Sequence, residues 1–237
     1  REKAGRQITV APSMDFLYLF GLWVSALQIS VLALPLSLVQ QWRKRGSSAG
    51  YSDVQLIVPI PIHICWMRYG WLTSDMLMVT TNFVLLASTI AYFVIFVYYL
   101  PDKTSIAKPV SIALTGLLAV MIYVSLQSAS EQASTMGKLA PLVQNTRIMG
   151  AIHLLKTIVD KKTTEYLPYQ TPFFLFFYLT QNVIYAFMTG KYPVFVASLP
   201  GLFFNTTYLI MYVVYPPKTW RVPILGTGND EAMEEKK

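Results

Sequence analysis

The chain has 237 residues, of which 54% are hydrophobic and 14% aromatic, and only 13% carry charge, where a soluble domain carries about 25%. That balance excludes a water-soluble globule and reads as an integral membrane protein. Its formal charge of +7 sits in short loops between apolar runs, the positive-inside bias of membrane proteins, so no nucleic-acid partner is needed to explain it.

Residues 1–13 form a polar N-terminal segment holding Arg1, Lys3 and Arg6. Opening on Arg1 fits a removed leader or a trimmed start. A membrane span needs roughly 20 apolar residues at about 1.5 Å each, and the sequence predicts seven, at about 14–39, 54–73, 76–100, 109–128, 138–159, 167–189 and 191–215. The most strongly worded stretch runs from Lys161 to Gly190: a basic turn, Tyr166-Leu167-Pro168-Tyr169, then an aromatic run ending at Tyr185-Ala186. Pro168 opens that helix instead of breaking it, because the N–H it lacks has no intrahelical partner at a helix start. A weaker copy lies about 115 residues earlier, from Arg43-Lys44-Arg45 through Tyr51 to Tyr69-Gly70.

The chain is therefore internally repeated. Residues 14–100 make three-helix repeat one, 101–134 the linker helix with its loops, 135–216 repeat two and 217–237 a polar tail. The repeats end in parallel phrases, Phe96-Val97-Tyr98-Tyr99-Leu100-Pro101 and Tyr212-Val213-Val214-Tyr215-Pro216. An odd linker lets two three-helix units face the same way, a 3+1+3 all-α plan with parallel repeats. Lys and Arg in the loops after helices one, three and five and in the tail outnumber those on the other side nine to five. The C-terminus is thus expected on the cytosolic or matrix side of a plasma or organellar membrane, with the tail loose from Leu225.

One cysteine, Cys65, allows no intrachain disulfide, and two histidines beside it make no metal-ligand set. Neither cofactor nor metal is expected. No phosphate-cradling glycine loop or nucleophile elbow occurs; Gly226-Thr227-Gly228 is tail composition. No catalytic residue is expected.

Two parallel repeats, each with a basic turn, a Ser/Thr pair, an aromatic and an apolar run to Tyr-Gly or Tyr-Ala, resemble the SWEET family of sugar facilitators. The likeness spans about Phe16 to Pro217. It is most specific at Lys162-Thr163-Thr164-Glu165-Tyr166-Leu167-Pro168, similar to that family's Lys-Ser-x-Glu-Phe-Met-Pro, with further matches at Leu34-Pro35, Tyr51-Ser52 and Gly190-Lys191 to Pro200. The resemblance implies four hinge prolines. Pro35 and Pro168 fill two of these places, and Gln55 and Ala151 stand at the other two. It also implies a cavity lined by Asn82, Trp66, Asn182 and, where a second Asn is expected, Gly201.

Asn82 and Arg147 stand out without any family. A polar side chain in an apolar run must bond a ligand or another helix. An arginine near a span centre costs about 2.5–3.5 kcal/mol on insertion scales and is paired or turned to water. Arg68, nearer a span end, is expected to snorkel. For Arg147 the openings are water, an anionic solute, an anionic lipid or a carboxylate of another chain.

Two functions follow as expectations. One is a facilitator moving a small neutral solute, a sugar by resemblance, by alternating access, alone or as a homo-oligomer. The other, prompted by the two absent prolines, the absent second cavity Asn, Arg147 and the start at Arg1, is a transport-inactive subunit of a larger organellar membrane complex such as one of the mitochondrial inner membrane. The first predicts Arg147 turned inward, the second Arg147 turned outward.

Overall fold

A computed structural model describes residues 14–165, 167, 169–223 and 225–228. The N-terminal segment and Pro168 lie outside them. Among the described residues every regular element is helical, save an isolated bridge between Arg221 and Gly228.

Seven spans follow the predicted order. Span one is α1 (Met14–Ser30) and α2 (Leu36–Arg45), separated by a 3-10 turn at Val31–Ala33. Pro35 explains the break. It has no N–H for the Val31 carbonyl, which instead accepts from Leu34 N at 3.0 Å in the tighter 3-10 pattern. The freed Leu32 carbonyl accepts from the Tyr92 hydroxyl at 2.6 Å. Span two is α3 (Val54–Ile57) and α4 (Pro59–Leu72), and span three is α5 (Met76–Tyr98). Asp75 caps α5, its carboxylate accepting from Met78 N at 3.1 Å. Span four is α6 (Ala107–Ser125).

Span five, α7 (Gln132–Gln144) and α8 (Ile148–Lys161), is broken by a 3-10 turn at Asn145–Arg147. No proline occupies this break. The Thr146 hydroxyl donates to the Val143 carbonyl at 2.8 Å, a local bond that competes with the helical ladder and bends it. Here too a tyrosine binds a helix-five carbonyl, Tyr208 donating to Ala151 at 2.9 Å. Span six is α9 (Gln170–Met188) and span seven α10 (Tyr192–Val214). Residues 225–228 fold back instead of hanging free, and residues 229–237 of the tail lie outside the described residues. Thr227 donates from its hydroxyl to the Tyr212 carbonyl at 2.9 Å, and its own carbonyl accepts from Val222 N at 2.8 Å.

Spans one to three pack as one bundle through α1 on α5 and α4 on α5, and spans five to seven as another through α7, α8 and α9 on α10. The bundles meet where α1 crosses α9 and α4 crosses α7, with α6 lying against α3, α4 and α7. Four stretches are by themselves long and apolar enough to cross a membrane: Asp15–Arg45, Met76–Tyr98, Lys103–Ser125 and Tyr192–Val214. Spans two, five and six hold His63, Gln144, Arg147, Gln181 and Asn182, polar groups that dilute their hydropathy. With span one, these are the spans at the bundle interface. Outward faces such as Leu19, Phe83, Leu118 and Phe203 are exposed, the arrangement that hydrocarbon solvates.

The repeat recurs in three dimensions at a separation of 116 residues, the spacing of Asp75 and Lys191. Ser48 N donates to the Tyr99 carbonyl and Thr164 N, at the matching position, to the Tyr215 carbonyl, both at 3.0 Å. A Cβ on Gly21 would meet Tyr185 and Leu77, and one on Gly137 would meet Tyr69 and Pro193. Each of these contacts is the other with the repeats exchanged.

Candidate functional site

Asn82 is buried on α5. Its Nδ2 donates to the Met78 carbonyl at 3.0 Å, which leaves Oδ1 to accept, and the His63 ring stands 3.1 Å from it through Nδ1. His63 therefore donates from Nδ1 and keeps the lone pair on Nε2. The sequence reading passed over His63, which no motif marks; only folding α4 against α5 brings it to Asn82.

Trp66, one turn along α4, is buried with Ile62, Cys65, Met136, Ala140 and Ala197. Its Nε1 donates to Gln144 Oε1 at 2.7 Å, and Gln144 Nε2 donates to the Ala197 carbonyl at 2.9 Å. This relay ties span two to spans five and seven across the interface. At the matching place in repeat two, Asn182 donates to the Ser198 hydroxyl at 2.8 Å, within its own bundle. Ser198 holds the repeat position of Asn82. Gly201 lies about one turn further on, facing Leu179, whose Cδ1 would be 3.1 Å from a Cβ there.

Arg147 closes the 3-10 turn of span five. Its charge reaches His63 of span two and Tyr178 of span six, helices on opposite sides of the interface. Its side chain is exposed.

One end of the interface is shut. Lys191 Nζ lies 2.5 Å from Asp75 Oδ2 and 3.2 Å from the Tyr185 hydroxyl. The two ions hold equal positions in the two repeats, so the pair bridges the bundles where their pseudo-axis emerges. Burial pulls the Lys191 pKa down, but the hydrogen bond and charge of Asp75, with help from Tyr185, outweigh it and hold it above its usual value. Tyr185 packs on Gly21, and Tyr69 on Gly137; side chains at these glycines would crowd both tyrosines. Arg68 bonds across the same end, its Nη2 donating to Gln132 Oε1 at 3.0 Å. In sequence Lys191 was only a loop charge, because its partner is 116 residues away.

At the opposite end the loops tie within each repeat. Glu165 accepts from Lys218 N at 2.7 Å, from Thr219 N at 3.1 Å and from the Thr219 hydroxyl. Burial would raise its pKa, but these bonds lower it below the ordinary glutamate value.

The hinge places resolve in physical terms. Pro35 sits at a real break. Gln55 lies exposed in the first turn of α3, but Pro59 and Pro61 follow in the same span, which is interrupted at Val58 between α3 and α4. Ala151 is inside α8, and span five breaks one turn earlier without a proline. The missing prolines therefore do not mean missing breaks.

The family described as "sugar efflux transporter for intercellular exchange" matches residues 18–104 and 146–220, most of each repeat but not α7. The chain belongs to this family, the SWEET transporters. It is a divergent member. It is 21% identical over 202 residues to the bidirectional sugar transporter SWEET10 of Arabidopsis thaliana, covering 83% of this chain and 70% of that protein. With the bidirectional sugar transporter SWEET17 of the same plant it shares 26% over 196 residues, 79% of this chain and 81% of the relative. The solved structure of a eukaryotic SWEET transporter superposes with a TM-score of 0.74 at 14% identity, covering 84% of this chain and 96% of that one. The SWEET fold of seven helices is thereby shared.

Proposed function

We propose that this chain is a facilitator that moves a small sugar, a mono- or disaccharide, through the membrane by rocking its two bundles about the polar interface. Its similarity to bidirectional sugar transporters supports this reading. The observation that carries it is the asymmetry of the interface. One end is latched by Asp75, Lys191 and Tyr185, while at the other end the loops tie within each repeat. This supports an alternating-access cycle with the latch side closed. By charge bias the latch faces away from the cytosol or matrix, and the C-terminus faces toward it. Asn82, His63 and the Trp66–Gln144 relay supply the interface with amide, imidazole and indole groups suited to sugar hydroxyls. No bond is made or broken, so no catalytic residue is needed. The relatives are sugar transporters and lend the subunit reading no support.

Uptake of labelled glucose and sucrose into proteoliposomes tests the reading. Saturable uptake above protein-free vesicles, with counterflow driven by unlabelled sugar, is expected. Absence of flux across hexoses and disaccharides contradicts it.

A further inference from the structure

The two repeats complete the end away from the latch differently. There α2 and α8, the half-helices that follow the breaks of spans one and five, each stop at a left-handed residue, Gly46 with φ 67° and Lys162 with φ 50°. Those caps stand at the repeat spacing, which sets Trp42 against Ile158, Tyr51 against Leu167 and Phe96 against Tyr212. In repeat one the three side chains close on one another. The buried Trp42 ring lies 5.6 Å from that of Tyr51 and 5.5 Å from that of Phe96. In repeat two the places of the indole and the phenol hold only Ile158 and Leu167, and the tail fills the space. Val222, wholly buried, joins Ile158, Leu167 and Tyr212 in one cluster, and the Trp220 ring lies 6.2 Å from that of Tyr212. Ile106, at the repeat position of Val222, belongs instead to the 3-10 turn Lys103–Ile106 that leads into α6.

The tail is held from outside the helices. The Glu165 carboxylate accepts from Lys218 N at 2.7 Å and Thr219 N at 3.1 Å, Thr227 donates to the Tyr212 carbonyl, and Val222 N and Gly226 N close the turn on Thr227 and Val222 carbonyls at 2.8 Å each. None of these is a bond of a helix ladder. We propose that the tail segment carrying Trp220 and Val222 is a removable plug that fastens the far end of α8 to α10, as the side chain of Trp42 permanently fastens α2 to α5. With the plug in, bundle two moves as one body. With the plug out, α8 turns on the break at Asn145–Arg147 and the motion of the bundle is no longer passed along span five. The consequence for transport rests on the facilitator reading, and it makes the tail a point of control on the side facing away from the latch.

Val222→Asp would bury a carboxylate without a partner, so the tail should leave. Lys218 and Arg221 are exposed, and trypsin cleavage after them reports how often the segment opens. In detergent that cleavage should be about tenfold faster in Val222→Asp than in the wild type, and exchange of labelled sugar in proteoliposomes about tenfold slower. Adding Ile158→Trp and Leu167→Tyr, the residues of repeat one, should restore exchange while cleavage stays fast, a combination that a general loss of stability does not produce. Cleavage no faster in Val222→Asp overturns the proposal, as does loss of exchange that the aromatic pair fails to restore. Fast cleavage with exchange at the wild-type rate overturns it too and leaves the facilitator standing. If the wild type moves no sugar, the facilitator falls and deuterium exchange at the amides of α8 decides the plug alone. Protection lost in Val222→Asp and regained with the aromatic pair supports it, and unchanged protection overturns it. Should Val222→Asp not fold, Val222→Ala must show the same changes in smaller measure, and wild-type behaviour of Val222→Ala overturns the proposal.

Discussion

Trp66 and Asn182 hold matching positions and do different work. Trp66 reaches across to Gln144 of the other bundle, while Asn182 satisfies Ser198 of its own. Trp66→Phe should leave Gln144 Oε1 without its donor and lower stability by about 1 kcal/mol, seen as a lower Tm. In a Gln144→Leu background the same change should cost less, since the partner is already gone; equal costs in both backgrounds would remove the relay from the account. Lys191 makes a prediction in pH. Its folded pKa lies above the ordinary 10.5, so the latch contributes fully below that value and is lost as pH rises through the folded one. Because both side chains keep some exposure, the effect is on the order of 1 kcal/mol. Thermal melts should show wild type losing stability faster than Lys191→Met above about pH 10.5; parallel curves would deny the pair any role in stability. Asn82 and Arg147 were legible in sequence because hydrocarbon makes any polar residue conspicuous. His63, Asp75 and Lys191 were not, because each is defined by a partner on another helix.

Among the elements, spans one and five show how a hinge can persist while its sequence mark disappears. Proline breaks the first by removing an N–H, and the Thr146 hydroxyl disturbs the second by taking a carbonyl. Tyr92 and Tyr208 then bind a carbonyl of each helix. If these breaks let the bundles rock, Pro35→Ala should straighten span one, raise the Tm and slow sugar exchange severalfold, the gain in stability reflecting a proline removed from a helix interior. Faster or unchanged exchange with a higher Tm would separate the break from transport. Reading prolines alone undercounts such hinges, because a hydroxyl bonded three residues back leaves no composition signal. The helices themselves were legible to within a few residues, apart from span one, which runs on to Arg45 instead of ending near residue 39, and span five, which begins at Gln132 instead of near residue 138; the polar ends of both hide them from a hydropathy reading.

On the scale of the whole molecule, the 3+1+3 plan was readable from repeated phrases, whereas the meeting of the repeats was not. Sequence supplies a repeat spacing of about 115 residues, but only the fold shows that Asp75 and Lys191, 116 apart and equal in the repeat, face one another across its axis. Exchanging them, Asp75→Lys with Lys191→Asp, should restore much of the function that either single change removes, since the axis makes the two places nearly equivalent; a double variant no better than the singles would show that their surroundings differ too much. The central claim is that this latch opens during transport. It is tested most directly with Asp75→Cys and Lys191→Cys joined by a short, reducible bis-thiosulfonate linker in proteoliposomes. Labelled-solute exchange should stop when the linker is in place and return when it is reduced. Exchange that continues undiminished with the cross-link fully formed would contradict alternating access about this interface.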